Sequence, residues 1–371
     1  MKRAIVIVLD GCGAGAAPDA DAFNDGVGVA TIKNVWDAVG GFEAPNLAES
    51  GFLAACGIGE ASRRHGRLRP LSMGKDSVTG HWEMMGAVVE RPFPTYPRGF
   101  PAELVAEFER RIGSKVIGNR PASGTAIIAE LGEEHVRTGD PILYTSADSV
   151  FQVAAHEAVL PVERLYEICR IAREICTAPN DVQRVIARPF EGEVGAFRRT
   201  ERRKDFPLTA PPNLVDEIGD VLGIGVVPEL FDGRGFRAVK RSQSNAEHEV
   251  ALFAALDACD ARFVFANFED FDMLFGHRND PAGFAKCLER FDQTLAGIKR
   301  HLREEDLLIL TADHGNDPTD ASTDHSREYV PYALWTAEGP TGRRDADGMA
   351  AIGRTVAEHL GVAWAAGDDL R

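Results

Sequence analysis

No apolar run in the chain approaches the roughly 20 residues needed to cross a bilayer, so a membrane-spanning helix is not expected. The N-terminus, MKRAIVIVLDGCG, has a short apolar run that ends in Asp10 without a small-residue cleavage pattern, which points to a cytoplasmic address. Paired cysteines are lacking as well. Cys12, Cys56, Cys169, Cys176, Cys259 and Cys287 are scattered and form no CxxC, as expected of structural thiols in a reducing compartment. Positive charge is in deficit: 57 acidic groups against 41 basic ones give a net charge of −16. That balance argues against non-specific binding to nucleic acid or to an anionic membrane, although a local basic pocket for phosphate remains open. There is no internal repeat and no low-complexity tract.

What the chain does have is length and apolar content. Its 371 residues, 44% of them hydrophobic, suffice for two domains with a substantial core. Short apolar runs alternate with amphipathic stretches, the pattern of a parallel sheet covered on both faces. Ala4 to Asp10, Arg262 to Asp270 and Leu307 to Asp313 read as buried strands. Between the last two, Phe284, Cys287, Leu288, Phe291, Leu295, Ile298 and Leu302 recur at three- and four-residue steps, so Pro281 to about Arg303 is expected to be a crossover helix. Pro and Gly cluster in VVERPFPTYPRGFP and again in KDFPLTAPPNL, which suggests an inserted domain of about Pro92 to Pro211 (residues 92–211) within a core made of 1–91 and 212–371. Inside it, PILYTSAD and RVIARPF read as strands and Val162 to Cys176 as a helix.

Ligands in open α/β sheets bind outside the carboxyl ends of the strands, and Asp10, Asp272 and Asp313 all lie at or just after such ends. His277 follows Asp272, His314 adjoins Asp313, and His325 lies in the loop beyond. Three Asp and three His can hold two divalent ions, and mixed oxygen and nitrogen donors suit manganese or zinc better than calcium. Taken singly, an Asp after a strand is most often a turn or cap residue; the constellation is more specific than any member. Asp324, just before His325, is expected to orient that imidazole rather than bind metal.

GKDSVTGHWEMMG places Thr79 before a helix, where backbone N–H groups favour an attached phosphate and a metal could lower the hydroxyl pKa enough for attack. By sequence alone, Thr79 reads more readily as an N-cap. FRRTERRKDF sets four arginines within six residues; on charge alone it reads as a solvated basic face.

VLDGCGAGAAPDA, GKDSVTGHWEMMG, IGNRPASGTAII, YTSADSVFQVAAHE, FEDFDMLFGHR and TADHGNDP followed by TDHSREYVP run in order through nearly the whole chain. Together they resemble the prokaryotic phosphopentomutases of the alkaline phosphatase superfamily. The resemblance implies an α/β fold: a doubly wound, alkaline-phosphatase-like sheet core with an inserted α+β cap that closes over a sugar phosphate. It implies Asp10, Thr79, Asp313 and His314 as ligands of one metal, with Thr79 the phosphoryl carrier, and Asp272, His277 and His325 as ligands of the other. The ions would be two divalent cations, commonly Mn2+. Ser146, Asp148 and Val150 match sugar-contacting positions, while Arg188 and Arg203 match holders of the non-reacting phosphate, a role that suits planar guanidinium groups. The implied partners are pentose phosphates and a bisphosphate sugar activator, with no nucleic acid or membrane partner and a monomer or weak oligomer. The implied reaction interconverts ribose (or deoxyribose) 1-phosphate and 5-phosphate through a phosphothreonine and a bisphosphate.

The pattern has departures. RSQSN carries Gln243 where the family usually has a Lys, with Lys240 and Arg241 nearby in sequence. Glu269 stands where the family tends to be apolar, which suggests an extra carboxylate beside the metals. The chain is also somewhat shorter than usual. These changes keep open a metal-dependent phosphohydrolase using the same groups. A non-catalytic metal-binding or scaffold protein would predict damaged ligands, and none of the seven positions is altered.

Overall fold

The computed structural model describes every residue except Met1, Ala147, Asp148, 238–241, Cys259 and Glu338. The chain divides into two compact units, Met1–Arg91 with Ala210–Arg371, and Pro92–Thr209.

The first unit is built on the three apolar runs. Arg3–Leu9, Phe263–Phe268 and Asp306–Thr311 are strands buried along their whole length. All three pair in parallel, with Ala4 opposite both Phe263 and Leu307 and with Leu222–Ile224 continuing the parallel run beyond Phe263–Phe268. Such continuous burial on both faces is what near-unbroken Val, Ile, Leu and Phe runs require. The crossover helix spans Pro281–His301, with Pro at its first turn and Asp280 as its cap. Helix Ala350–Leu360 packs on the first strand and helix Asn245–Ala258 on Phe263–Phe268. The α/β core with helices over its sheet is as expected, but the sheet is not wholly parallel. Val330–Trp335 pairs antiparallel with Asp306–Thr311, and His65–Arg69 antiparallel with Val330–Trp335. The return strand follows Asp306–Thr311 through a loop rather than a crossover helix, so it comes back in the opposite direction.

Arg3 belongs to the first strand although it is charged. Its guanidinium is fully buried, donates to both Asp306 carboxylate oxygens (3.2 and 2.6 Å), and caps the carbonyls of Leu256 and His301. The aligned register fixes the opposite end of the sheet. Leu9 pairs with Phe268 and Val8 with Thr311, so Asp10, the segment from Glu269 and the segment from Ala312 all leave at one rim.

The second unit is α+β. Ile117–Pro121, Ile142–Thr145, Val150–His156, Arg184–Glu191 and Arg198–Arg199 form one mixed sheet, with Lys204–Pro207 also paired to Arg184–Glu191. Helices Ala102–Ile112 and Val162–Ile175 pack into one apolar cluster around Phe108, Phe151 and Ile168. Helix Gly124–Thr138 joins a smaller cluster with Tyr144 and Phe190.

Candidate two-metal active site

Asp10 is the residue after the first strand and is buried. Asn267, on the neighbouring strand, donates to its Oδ2 (2.6 Å), which leaves Oδ1 without a hydrogen-bond partner. Asp313 follows the third strand. Its Oδ1 accepts the N–H groups of Gly11 and His314 (both 3.1 Å), and its Oδ2 is likewise unpartnered. The His314 ring lies against both orphaned oxygens: Nε2 is 3.4 Å from Asp10 Oδ1 and 3.3 Å from Asp313 Oδ2. The Nδ1 atom, 3.1 Å from the Gly315 carbonyl, is thereby held as donor, so Nε2 is the lone-pair face.

The second cluster centres on Asp272. His277 Nε2 is 3.0 Å from its Oδ2 and His325 Nε2 3.5 Å from its Oδ1. Asn316 donates to Oδ1 (2.7 Å). The Thr323 carbonyl, 2.7 Å from His277 Nδ1, fixes that ring. The His325 ring lies tilted against both of the others, its centroid 4.8 Å from that of His277 and 4.0 Å from that of His314. Donor atoms of Asp10, Asp313 and His314, and those of Asp272, His314 and His325, each converge within 4.8 Å. His314 thus belongs to both groups by geometry.

Charge in these clusters favours cations. Burial, with Asp313 and Asp272 nearby, pushes the Asp10 carboxyl well above its usual range, and burial raises Asp313 too. Burial and the neighbouring His325 push His314 down to about 3. Burial also acts upward on Asp272, but the His277 and His325 imidazoles outweigh it and hold that carboxyl well below its usual range. Asp272 in turn raises His277 to about 9. Two buried carboxylate oxygens with no partner, facing one imidazole nitrogen, are costly to leave bare and fit a divalent ion.

Thr79 lies in helix Ser77–Met84, and Asp76 rather than Thr79 is the N-cap. Asp76 Oδ1 accepts the N–H groups of Val78 (3.0 Å) and Thr79 (3.2 Å), while the Asp76 N–H donates to Thr79 Oγ1 (3.4 Å), a reciprocal capping box. The Thr79 hydroxyl reaches the Asp76 carbonyl at 3.0 Å and Oδ2 at 3.2 Å. Thr79, Gly80, Lys75, Asp313 and His314 line one small cavity. The approach is close: a Cβ on Gly80 would stand 2.4 Å from the Asp313 carbonyl oxygen, and one on Gly74 2.5 Å from Thr79 Cγ2. Ser77 Oγ is 3.2 Å from His314 Nε2.

Three expectations change here. Asp324 does not grip the His325 ring; its Oδ1 accepts the His325 backbone N–H (2.9 Å) and its Oδ2 pairs with Lys75 (3.2 Å). Glu269 has its own partners, its Oε1 accepting the Val226 N–H and its Oε2 meeting His248 Nε2, and reaches the candidate ligands only through its charge, which adds to the upward push on Asp10. The amides of Val78 and Thr79 are already taken by Asp76. Sequence reading also passed over Asn267, Asn316, Asp76 and Arg327. The Asp-x-x-Thr spacing of a capping box was the one local signal for any of them.

In the second unit, Arg188 lies in Arg184–Glu191 and donates to Gln152 Oε1 (3.3 Å). Arg203 is exposed and clamps Asp205 with two bonds of 2.7 and 2.6 Å. Burial lowers the Arg188 pKa, and Arg203 and Arg199 lower it further. Tyr144 is buried, its hydroxyl beside Arg188 and close to Gly124 at the start of helix Gly124–Thr138. Ser146 is half-buried and Val150 is buried, its carbonyl accepting the Thr145 hydroxyl (2.8 Å). Asp148, Lys240 and Arg241 lie outside the described residues. Gln243 is exposed, its N–H donating to Glu247 (2.9 Å).

A paired acid–imidazole rim on an α/β sheet defines a metal-dependent enzyme, and the family model of the metalloenzyme superfamily matches residues 2–364. The solved PH0037 protein of Pyrococcus horikoshii shares the fold, with a TM-score of 0.50, 17% identity and 99% of each chain covered. Within that superfamily the chain belongs to the phosphopentomutase family. It is 49% identical to the phosphopentomutase of Dictyoglomus thermophilum over 98% of this chain and 95% of the relative, and 49% identical to that of Carboxydothermus hydrogenoformans over 90% and 89%.

Proposed function

We propose that the protein moves a phosphoryl group between the 1- and 5-positions of a pentose by way of Thr79. As a member of the phosphopentomutase family it is an isomerase. The observation that supports the route through Thr79 is its buried hydroxyl, packed against the segment that carries Asp313 and His314. Asp10, Asp313 and His314 would hold one divalent ion and Asp272, His277 and His325 the other, with manganese the ion that suits these donors. When bound, such ions neutralise charge on a transferring phosphoryl group and favour the ionised hydroxyl.

The chain's own groups supply the rest. Asp76 orients the Thr79 hydroxyl and accepts hydrogen bonds from the amides of Val78 and Thr79. Asn267 and Asn316 hold the carboxylates of Asp10 and Asp272 in one rotamer. Thr79 gives its phosphoryl group to a pentose phosphate, the resulting bisphosphate turns over, and the other phosphate returns to Thr79. A bisphosphate sugar primes the threonine. Arg188 and Arg203 receive the non-reacting phosphate, a role supported by their mutual proximity and by the buried Tyr144 hydroxyl beside Arg188 and Arg199. Ser146, Asp148 and Val150 contact the sugar. The free, mostly buried cysteines Cys12, Cys56, Cys169, Cys176 and Cys287 support a reducing, cytoplasmic setting.

Labelled ribose 1-phosphate tests this reading with the manganese-loaded protein. Ribose 5-phosphate is the expected product, two divalent ions per chain the expected metal content, and Arg188→Ala should raise KM on the order of tenfold or more. Free phosphate as the main product would replace the mutase with a phosphohydrolase.

A further inference from the structure

Glu269 and the segment around Gln243 are the chain's departures from the family pattern, and the fold joins them. Glu269 is the residue after strand Phe263–Phe268; His248 lies in helix Asn245–Ala258, which packs on that strand; Ser242 precedes the helix. His248 is fully buried, its Nε2 against Glu269 Oε2 and its Nδ1 2.7 Å from Ser242 Oγ. Glu269 is fixed from its other side by the Val226 N–H, and the Phe268 ring meets the imidazole edge-on at 5.7 Å. Ser242 is half-exposed. A half-buried carboxylate, a buried imidazole and a half-exposed serine thus stand in one hydrogen-bonded line.

From this geometry we infer that Ser242, His248 and Glu269, none of them a candidate metal ligand, form a second nucleophilic site that accepts electrophilic acyl esters. With its Nε2–H directed at Glu269, His248 presents the Nδ1 lone pair to the Ser242 hydroxyl, so the tautomer that Glu269 favours is the one that can take the serine proton. Ser242 Oγ bonds to the ester carbonyl carbon and its proton passes to His248 Nδ1. The alcohol leaves as the C–O bond breaks and carries that proton away. Water then cleaves the acyl-serine by the same proton path, returning the hydroxyl and releasing the acid. A serine that only anchors the loop would have the same hydrogen bond to His248 but no dependence of its reactivity on the Glu269 charge.

A fluorophosphonate probe separates the two, since it forms an O–P bond to an activated serine with loss of fluoride. It is applied to the full-length Thr79→Ala protein, so that adducts at the metal centre cannot contribute, and the adduct is located by peptide mass. The site requires an adduct on Ser242 that disappears in Ser242→Ala and forms at least about tenfold more slowly in Glu269→Gln and His248→Gln. Glu269→Gln keeps the side-chain shape, and its melting temperature is recorded so that a slow rate in a folded protein is read as loss of activation. No adduct on Ser242, or one that forms in folded Glu269→Gln at the unaltered rate, overturns the proposal.

Discussion

Asp313 and Asp324 each precede a histidine in the same stretch, and burial separates their work. Asp313 is buried with one oxygen bonded to backbone N–H groups and the other unpartnered among ligand-type atoms. Asp324 is exposed to solvent and is tied to Lys75 and to a backbone amide. Asp313→Asn is therefore expected to lower mutase turnover on the order of 100-fold or more at saturating manganese, and Asp324→Asn by no more than about tenfold. Equal losses in the two variants would remove the distinction. The sequence carried Asp313 and its neighbours openly, because an acidic residue after an apolar run is a local signal. It did not carry what Asp324 does: a choice between ring and backbone depends on how the loop folds back, which residue spacing does not encode.

A second residue-scale consequence concerns pH in the metal-free protein. Asp272 raises His277 from an ordinary histidine value to about 9. A group bound more tightly to its proton in the folded state adds stability that is fully present below its unfolded pKa, near 6.5, and is lost as pH rises through the folded value. Chelator-treated protein should thus lose melting temperature between about pH 6.5 and 9, and His277→Gln should flatten that slope. An equal slope in the variant would assign the loss to other groups.

At the scale of elements, the segment Pro70–Lys75 ahead of Thr79 has neither helix nor strand to hold it. Arg327, almost fully buried, does so instead: it donates to the carbonyls of Pro70 (2.8 Å), Ser72 (2.7 Å) and Gly74 (2.7 Å) and pairs with Asp19. Glu83 accepts the N–H groups of Leu71 and Ser72 from the other side. Arg327 is two residues beyond His325, so one stretch of chain positions both that imidazole and the loop ahead of Thr79. A lysine offers a point charge in place of the planar fork and cannot serve three carbonyls at once. Arg327→Lys should cost about 2–3 kcal/mol of stability and lower kcat with KM little changed, as measured by melting and steady-state kinetics. An unaltered kcat would show that the loop is held without it.

Elements with strong local signals were legible: the three buried strands come from their apolar runs and the Pro281–His301 helix from its three- and four-residue periodicity. Val330–Trp335 and its antiparallel pairing were not, because YVPYALW carries a proline and no clean alternation, and strand direction is set by the connection rather than by composition. The first strand reads from Ala4 in the sequence, but it begins at Arg3. The partner of Arg3, Asp306, is distant in sequence, so the burial of the pair is visible only once the strands align.

At the scale of the whole molecule, the parallel register does the organising. Alignment of Arg3–Leu9, Phe263–Phe268 and Asp306–Thr311 brings ligand-type side chains from positions 10, 272 and 313 to one rim, and the loop to Val330 returns His325 to it. Among the described residues no helix is long and apolar enough to cross a membrane. The second unit is one continuous segment between the two parts of the first, which lets it be a separate compact body without disturbing that register.

The proposed route depends throughout on Thr79 carrying the phosphoryl group. The direct measurement is rapid quenching of manganese-loaded protein during turnover of phosphorus-labelled ribose 1-phosphate, followed by peptide mapping. Label on the peptide containing Thr79, together with loss of mutase turnover in Thr79→Ala, is the predicted result. Full turnover by Thr79→Ala, or ribose 5-phosphate formation with no label on the chain, would contradict it.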